Sequence, residues 1–336
     1  MLNINSKLKS LEKLIGNTPL VEITCVYNGK EIKIYSKLEY YNYTGSIKDR
    51  MALHIIKKSY ENKELNPNDT IIEATSGNTG ISFSSIGTYL GHNVVIYMPD
   101  WMSDERKKLL RGFGSEINLV SKEDGGFLKC ISITEEIAKN NKNVFLPKQF
   151  SNKYNTEAHY CSTGPEILNI LKKHNLTPSA FIAGVGTGGT VMGIGTYLKK
   201  HNPNIKIYPL EPSNSPTLST GTQVNDHRIQ GIVDEFIPPI LDFSKVNDVI
   251  GVNDGDAILM AQKLSKTLGL GVGISSGANF LGAIKAYELS QKKNPVIVTV
   301  FADDNKKYLS TDLCNIEPEK DCYISKNIEL IKFKTL

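Results

Sequence analysis

Lys48 stands between Thr44-Gly45-Ser46-Ile47 and Asp49-Arg50, where small flexible residues run into a helix-forming stretch. A lysine held at such a junction can be aimed at a ligand as an amine nucleophile, and such amines form Schiff bases with carbonyl compounds. Lysines beside helix starts are also common as solvated charges, so the meaning of Lys48 depends on its company. Thr75-Ser76-Gly77-Asn78-Thr79-Gly80 follows a strand candidate ending at Glu73 and opens a helix. Its glycines permit close backbone approach, its hydroxyl and amide side chains add donors, and the unpaired N–H groups of a helix start attract a carboxylate or phosphate. The same residues suit a plain N-cap turn. Gly184-Val185-Gly186-Thr187-Gly188-Gly189-Thr190 follows the apolar run Phe181-Ile182-Ala183 and precedes another helix. Successive N–H groups in such a loop form a nest for a phosphate dianion, helped by the helix dipole. Gly273-Ile274-Ser275-Ser276-Gly277-Ala278 opens a third helix candidate at Ser276. Its serines fit an N-cap, and the Ser275 hydroxyl equally fits the nitrogen of a heterocycle.

A carbonyl cofactor with a phosphate and a pyridine ring, such as pyridoxal phosphate, would employ Lys48 and all three loops. The second loop also matches G-x-G-x-x-G at Gly184, Gly186 and Gly189, with Glu211 ending the next strand candidate where a ribose-binding acid would sit. A nucleotide-binding dehydrogenase is therefore the competing reading. It leaves Lys48 and the Asn78 loop without a role.

The elements that must position these residues alternate along the chain. Strand candidates are Thr70–Glu73, Asn93–Met98, Glu116–Val120, Val144–Leu146, Ala180–Gly184, Ile205–Leu210 and Val296–Phe301. Helix candidates lie near Lys48–Asn62, Asn78–Leu90, Ser103–Phe113, Phe127–Lys139, Thr190–Lys200, Gly255–Leu268 and Ser276–Leu289. This order implies an α/β fold with mostly parallel sheets flanked by helices. Ligands in such folds bind beyond the carboxyl ends of the strands, where strand order reverses.

The length of 336 residues allows two domains, and 40% hydrophobic with 22% charged residues is the balance of a globular enzyme. The net charge of +4 is spread out, and the run Arg106-Lys107-Lys108 with Arg111 has the spacing of a solvated helix face rather than a nucleic-acid patch. No apolar run is long enough for a bilayer, and Met1 to Ser10 lack the apolar core of a secretory signal. Cys25, Cys130, Cys161, Cys314 and Cys322 show no C-x-x-C spacing, which suits a reducing cytoplasm, and no histidine falls at metal-ligand spacing. We expect no metal, no nucleic acid and no membrane.

Together these residues closely resemble the cysteine synthase and cystathionine β-synthase family of fold type II pyridoxal-phosphate enzymes. The likeness runs from Ile15-Gly16-Asn17-Thr18-Pro19-Leu20-Val21 to Tyr308-Leu309-Ser310-Thr311. It includes Lys37-Leu38-Glu39, Ser46-Ile47-Lys48-Asp49-Arg50, Met98-Pro99, Met102-Ser103, Glu105-Arg106, Gln149-Phe150, Thr163-Gly164-Pro165-Glu166 and Glu211-Pro212-Ser213-Asn214-Ser215-Pro216. The resemblance implies that Lys48 holds the cofactor and moves the substrate's α-proton. It implies that Asn78 meets the ring hydroxyl, Ser275 the ring nitrogen, and Gly186, Thr187, Gly188, Gly189 and Thr190 the phosphate. Thr75, Ser76, Asn78, Thr79 and Gln149 would bind the substrate carboxylate. It further implies a smaller mobile domain over residues 48–155, a larger cofactor-binding domain over 8–47 and 156–312, and a homodimer. Residues 313–336 form an extension of unclear role. Docking of a serine acetyltransferase, known in some relatives, stays open.

One segment departs from the relatives. Where cysteine synthases carry Gly-Ala-Gly and cystathionine β-synthases Gly-Tyr-Asp, this chain reads Val233-Asp234-Glu235. Asp234 is either a solvated loop acid or a carboxylate beside the substrate β-carbon. In the second case it would repel hydrosulfide and take a proton from water or a thiol. The expected reaction is then sulfide release from L-cysteine through an aminoacrylate, with water or a thiol added to give serine or a thioether. The alternative is synthesis of L-cysteine from O-acetylserine and sulfide.

Overall fold

A computed structural model describes residues 3–232 and 235–336. After the helix Ile4–Glu12 comes a hairpin that the βα alternation does not reveal. β1 (Leu20–Tyr27) and β2 (Lys30–Leu38) pair antiparallel across Asn28-Gly29. Both turn residues have positive φ, +50° and +76°, the geometry that matches the twist of flanking strands.

The chain then builds a four-stranded sheet from β3 (Thr70–Ala74), β4 (Val94–Pro99), β5 (Glu116–Val120) and β6 (Val144–Phe145). Its order is β5-β4-β3-β6 and every pairing is parallel. Then come β7 (Ala180–Gly184), β8 (Lys206–Pro212), β9 (Ile250–Val252), β10 (Ile297–Phe301) and β11 (Ile328–Thr335). With the hairpin they form a seven-stranded sheet in the order β11-β1-β2-β10-β7-β8-β9. It is parallel from β2 to β9 and antiparallel at β1 and β11.

The strand candidates fall on β3 to β8 and β10, and the helix candidates fall on helices shifted by a residue or two. Sequence reading missed β1, β2, β9, β11 and the helices Ile4–Glu12, Lys153–Ala158, Gly164–Lys173 and Thr217–Thr220. Pro165 lies in the first turn of Gly164–Lys173, directly after the π-helical turn His159–Thr163 that links it to Lys153–Ala158.

Apolar clusters cover both faces of each sheet, and one is the main core of each. Ile71, Ile81, Phe83, Ile96 and Met98 centre the smaller one, and Ile23, Ile34, Ile182, Phe280 and Phe301 the larger. Leu8 and Leu11 of the first helix pack into the smaller core, although the sequence grouping placed this stretch with the larger unit. Residues 313–336 are not a loose appendage. They make two short turns and then β11, which covers the outer edge of β1.

Candidate active site

The helix Lys48–Glu61 starts at Lys48 itself, and Ser46 Oγ accepts the Lys48 backbone N–H at 3.3 Å. Ile47 N–H donates to the carbonyl of Ala302 just past β10, so the helix start is pinned to the large sheet. Two residues along, Arg50 is buried and fully engaged. Its guanidinium meets both oxygens of Glu39 at 2.6 and 2.8 Å and both of Glu166 at 2.7 and 2.8 Å. Lys37 Nζ lies 2.7 Å from Glu166 and donates to Thr18. Burial pushes the Glu39 carboxyl up, but Arg50 and Lys37 overcome this and hold it at about 2. The Lys37-Leu38-Glu39, Lys48-Asp49-Arg50 and Thr163–Glu166 stretches thus meet in one network that locks the base of the lysine helix.

Lys48 and the three loops line one cavity. Thr75, Ser76, Asn78, Thr79, Gln149, Gly186, Thr187, Gly188, Thr190 and Ser275 all face it. Gly189 is the first residue of the helix behind the phosphate-type loop. The N-cap reading of the Asn78 loop fails in detail. The N-cap is Gly77, which has no side chain to bond the first N–H groups. Gly188 likewise caps Gly189–His201 with a φ of +84° that favours glycine. Both helix starts therefore offer backbone donors to an anion. Ser275 does not cap its helix either. It sits within the first turn of Ile274–Glu288, behind N-cap Gly273.

The loop after β7 also depends on close packing. A Cβ on Gly186 would lie 2.5 Å from the carbonyl of Gly231, and one on Gly189 would lie 2.0 Å from Asn155 Oδ1. Asn155 Nδ2 donates to Thr187 Oγ1 at 2.8 Å and to the Gln149 carbonyl. Thr79 Oγ1 donates to Gln149 Oε1 at 2.6 Å. Glu73, buried at the end of β3, accepts the N–H groups of Ala74 and Gln149; burial still pushes its carboxyl up to about 8.

Several residues that sequence reasoning missed complete the site. Asn78 Nδ2 donates to Asp303 Oδ2 at 2.7 Å, and Tyr308 OH donates to the same oxygen at 2.7 Å. Arg106 is buried, not on a solvated face: its guanidinium lies 4.6 Å from the Tyr308 ring centroid and donates to Ser103 Oγ. Ser103 Oγ in turn donates to the Lys307 carbonyl. This seam joins the helix start beside the small sheet to the segment after β10. His159 lies beneath Thr190, with Nε2 at 3.4 Å from its hydroxyl and Nδ1 at 3.0 Å from Thr163 Oγ1. Burial pulls this imidazole down to about 3, so it is neutral at physiological pH.

Asn78 Oδ1, Arg106 Nε, Gln230 Oε1 and Asp303 Oδ1 are buried and lack a partner among the described residues. Asn78, Arg106 and Gln230 line the cavity and Asp303 is bonded to Asn78, so these polar atoms mark the place of a ligand. Glu211, the candidate ribose acid, is turned away. It accepts Leu218 N–H at 2.7 Å and the Ser219 hydroxyl, and so holds the short helix Thr217–Thr220. The dehydrogenase reading loses its acid there.

Beyond the cavity lies a mouth lined by Trp101, Met102 and Phe127 and by Asp100, Glu123, Asp226 and Glu235, with Lys122 as its lysine. Burial raises the Glu235 carboxyl. Asp234 and Val233 lie outside the described residues; their neighbours Ile232 and Glu235 both line the mouth. Among the described residues no group of three or more His, Cys, Asp or Glu is placed to hold a metal, and no helix is long and apolar enough to cross a membrane.

Residues 11–303 match a family model described as pyridoxal-phosphate dependent enzyme. A cysteine synthase of Staphylococcus aureus is 40% identical over 312 residues, which is 92% of this chain and 97% of that protein. The crystal structure of a hydrogen sulfide-producing enzyme from Fusobacterium nucleatum is 57% identical with a TM-score of 0.95, over 99% of this chain and all of that one. A structure of a hydrogen sulfide-producing enzyme carrying an Asp-to-Asn change, in complex with an α-aminoacrylate intermediate, is 56% identical with a TM-score of 0.96, over 98% and 100% of the two chains.

Proposed function

Because the chain belongs to the pyridoxal-phosphate dependent enzyme family, we propose that its cavity releases sulfide from L-cysteine and adds water or a thiol at the vacated β-carbon. The observation that carries this direction is the 57% identity over 99% of the chain to a hydrogen sulfide-producing enzyme, against 40% over 92% to a cysteine synthase.

The residues present fit the cofactor. When bound, pyridoxal phosphate supplies an electron sink for the pair left behind at the substrate α-carbon. Lys48 Nζ would hold it and, once displaced by the substrate amine, carry the α-proton. Gly186, Thr187, Gly188, Gly189 and Thr190 would take the phosphate, in a cradle that side chains at Gly186 and Gly189 would obstruct. The unpartnered Asn78 oxygen belongs to the amide we assign to the ring hydroxyl. Ser275 would meet the ring nitrogen, and a neutral hydroxyl there does not hold a proton on the ring as a carboxylate would. Thr75, Ser76, Asn78, Thr79 and Gln149 would hold the substrate carboxylate. In this reading the small-sheet unit, about residues 48–155 with the first helix packed on it, closes over the substrate across the Asp303–Tyr308 seam.

The mouth supports the sulfide-releasing direction. Four carboxylates and one lysine line it. Asp226 is paired with Lys122 and burial raises the Glu235 carboxyl, so Asp100 and Glu123 carry the opposition to an incoming hydrosulfide, on the order of 1 kcal/mol per charge at about 4 Å in water-like screening. We assign Asp234 the role of taking a proton from water or a thiol as it adds. The related Asp-to-Asn enzyme held with α-aminoacrylate fits a carboxylate that acts after the leaving group has departed.

The test compares purified protein given L-cysteine with protein given O-acetylserine plus sulfide, following sulfide, serine and cysteine. We expect the larger kcat/KM on cysteine, with sulfide and serine formed together. In Asp234→Asn, serine formation should fall by roughly 100-fold or more, the scale of a lost general base. Faster cysteine synthesis than cysteine consumption would assign the site to a cysteine synthase. Unchanged serine formation in Asp234→Asn would remove the proton-transfer role.

A further inference from the structure

Gln223, Asp226, Ile229, Gln230, Gly231 and Ile232 form one wall of the mouth, and the last three also line the inner cavity. Among the described residues this wall contains no helix or strand; it runs between the short helix Thr217–Thr220 and the turn Phe243–Lys245. Arg228 anchors its middle. The Arg228 backbone N–H donates to Asp254 Oδ2 at 3.0 Å, and its side chain reaches Asp254, Asp312 and Glu317. The contact to Glu317 is a two-pronged fork, with Nη1 and Nη2 each 2.7 Å from a carboxylate oxygen. Planar bidentate pairing of this kind fixes orientation as well as distance. The Glu317 side chain is 6% exposed and that of Arg228 38%, so the fork is buried on its carboxylate side and open on the other.

Glu317 belongs to the segment after residue 303, where the family match ends. That segment is bound to the helix Asp254–Leu268 along its length. Gln262 Nε2 donates to the carbonyls of Leu313 and Asn315, Asp256 accepts the N–H groups of Ile324 and Ser325, and Lys263 Nζ donates to Ser325. Gly255 leaves room for it: a Cβ there would lie 2.3 Å from Tyr323 OH and 2.5 Å from Glu317 Oε1. On its other side the wall reaches the small-sheet unit, where Asp226 lies 3.3 Å from Lys122. That pair is exposed and worth little by itself. Ile229 and Ile232 pack into the large core and Asn214 and Ser215 hold the carbonyls of Asp226 and Asn225, so Arg228 is the wall's charged tie to the segment after Asp312 rather than its whole support.

We propose that the segment following Asp312 is a clamp that sets the mouth wall, with Arg228 and Glu317 as positioning residues for substrate binding. The kinetic part rests on reading the cavity as the site of amino-acid turnover; the structural part does not. Glu317→Gln removes the charge but keeps the shape, and Arg228→Lys keeps the charge but loses the fork.

The test uses the cofactor-loaded full chain. In Glu317→Gln, backbone amides of residues 223–232 should exchange about tenfold faster while both sheets exchange as before. KM for the amino acid turned over should rise roughly fivefold, with kcat within about twofold. The fluorescence of Trp101, the chain's single tryptophan, should shift, since it faces this wall across the mouth. Arg228→Lys should fall between the two. Unchanged exchange in 223–232 overturns the proposal. So does faster exchange throughout both sheets, which would make the pair merely structural, or a fall in kcat at constant KM. Should the unsubstituted enzyme prefer O-acetylserine to cysteine, the reaction direction fails while the exchange comparison still judges the clamp.

Discussion

Asp303 gains its meaning from a residue 225 positions away in the chain. Its carboxylate fixes which way the Asn78 amide points and gives the buried Tyr308 hydroxyl its acceptor. In Asp303→Ala both donors lose that partner, at a cost of about 1–3 kcal/mol for each orphaned group. We expect a lower melting temperature and cofactor that leaves on gel filtration, read from its visible absorbance. Asp303→Asn keeps one acceptor oxygen and should fall between. Glu73 gives a pH signature. Its carboxyl is raised to about 8 in the folded chain against an ordinary value near 4.5. The stability linked to it is therefore complete below pH 4.5 and is lost as the pH rises through 8, by up to about 1.4 kcal/mol per unit. Denaturant titrations of Glu73→Gln should show that part of the slope removed between pH 5 and 8.

Elements divide sharply in how legible they were. Loops after parallel strands announce themselves, because glycine clusters there serve backbone approach and little else. Asn78 and the Gly184–Thr190 loop follow β3 and β7 in this way, whereas Lys48 and Ser275 stand at helix starts preceded by no strand candidate; all but Val185 and Gly189 line one cavity. The β1–β2 hairpin lies outside the βα alternation, and Asn28-Gly29 is its one strong local sign. Arg106 was misread because helical spacing among leucines says which residues share a face, not what that face meets. Here it meets Tyr308, from the far end of the chain. Close approach also makes a prediction at this scale. Gly186→Ala places a methyl 2.5 Å from the Gly231 carbonyl. The strain should cost about 1–3 kcal/mol in thermal stability, and cofactor affinity should fall with it, measured by fluorescence titration.

The whole molecule is two sheets joined at a polar seam, with the larger one closed at its edge by β11. On β11 only Ile328 and Leu330 are buried, on either side of exposed Glu329; residues 331 to 335 are all exposed, and Lys332 and Lys334 suit an outer edge. A chain ended after Asn327 keeps the Glu317 clamp but loses this cover. We expect it to melt lower and to aggregate in light scattering, because β1 then presents unpaired N–H and carbonyl groups to other chains. A truncated chain that stays monomeric and melts like the full one would contradict this.

The pairing of residue 21 with 335 and of 27 with 328 also sets a timetable. A ribosome adds about 5–20 residues per second, so β1 emerges roughly 15 to 60 seconds before the strand that covers it. Through that interval the nascent polypeptide carries a bare, apolar ribbon, and escorting it is a task for whatever meets the chain at the exit tunnel.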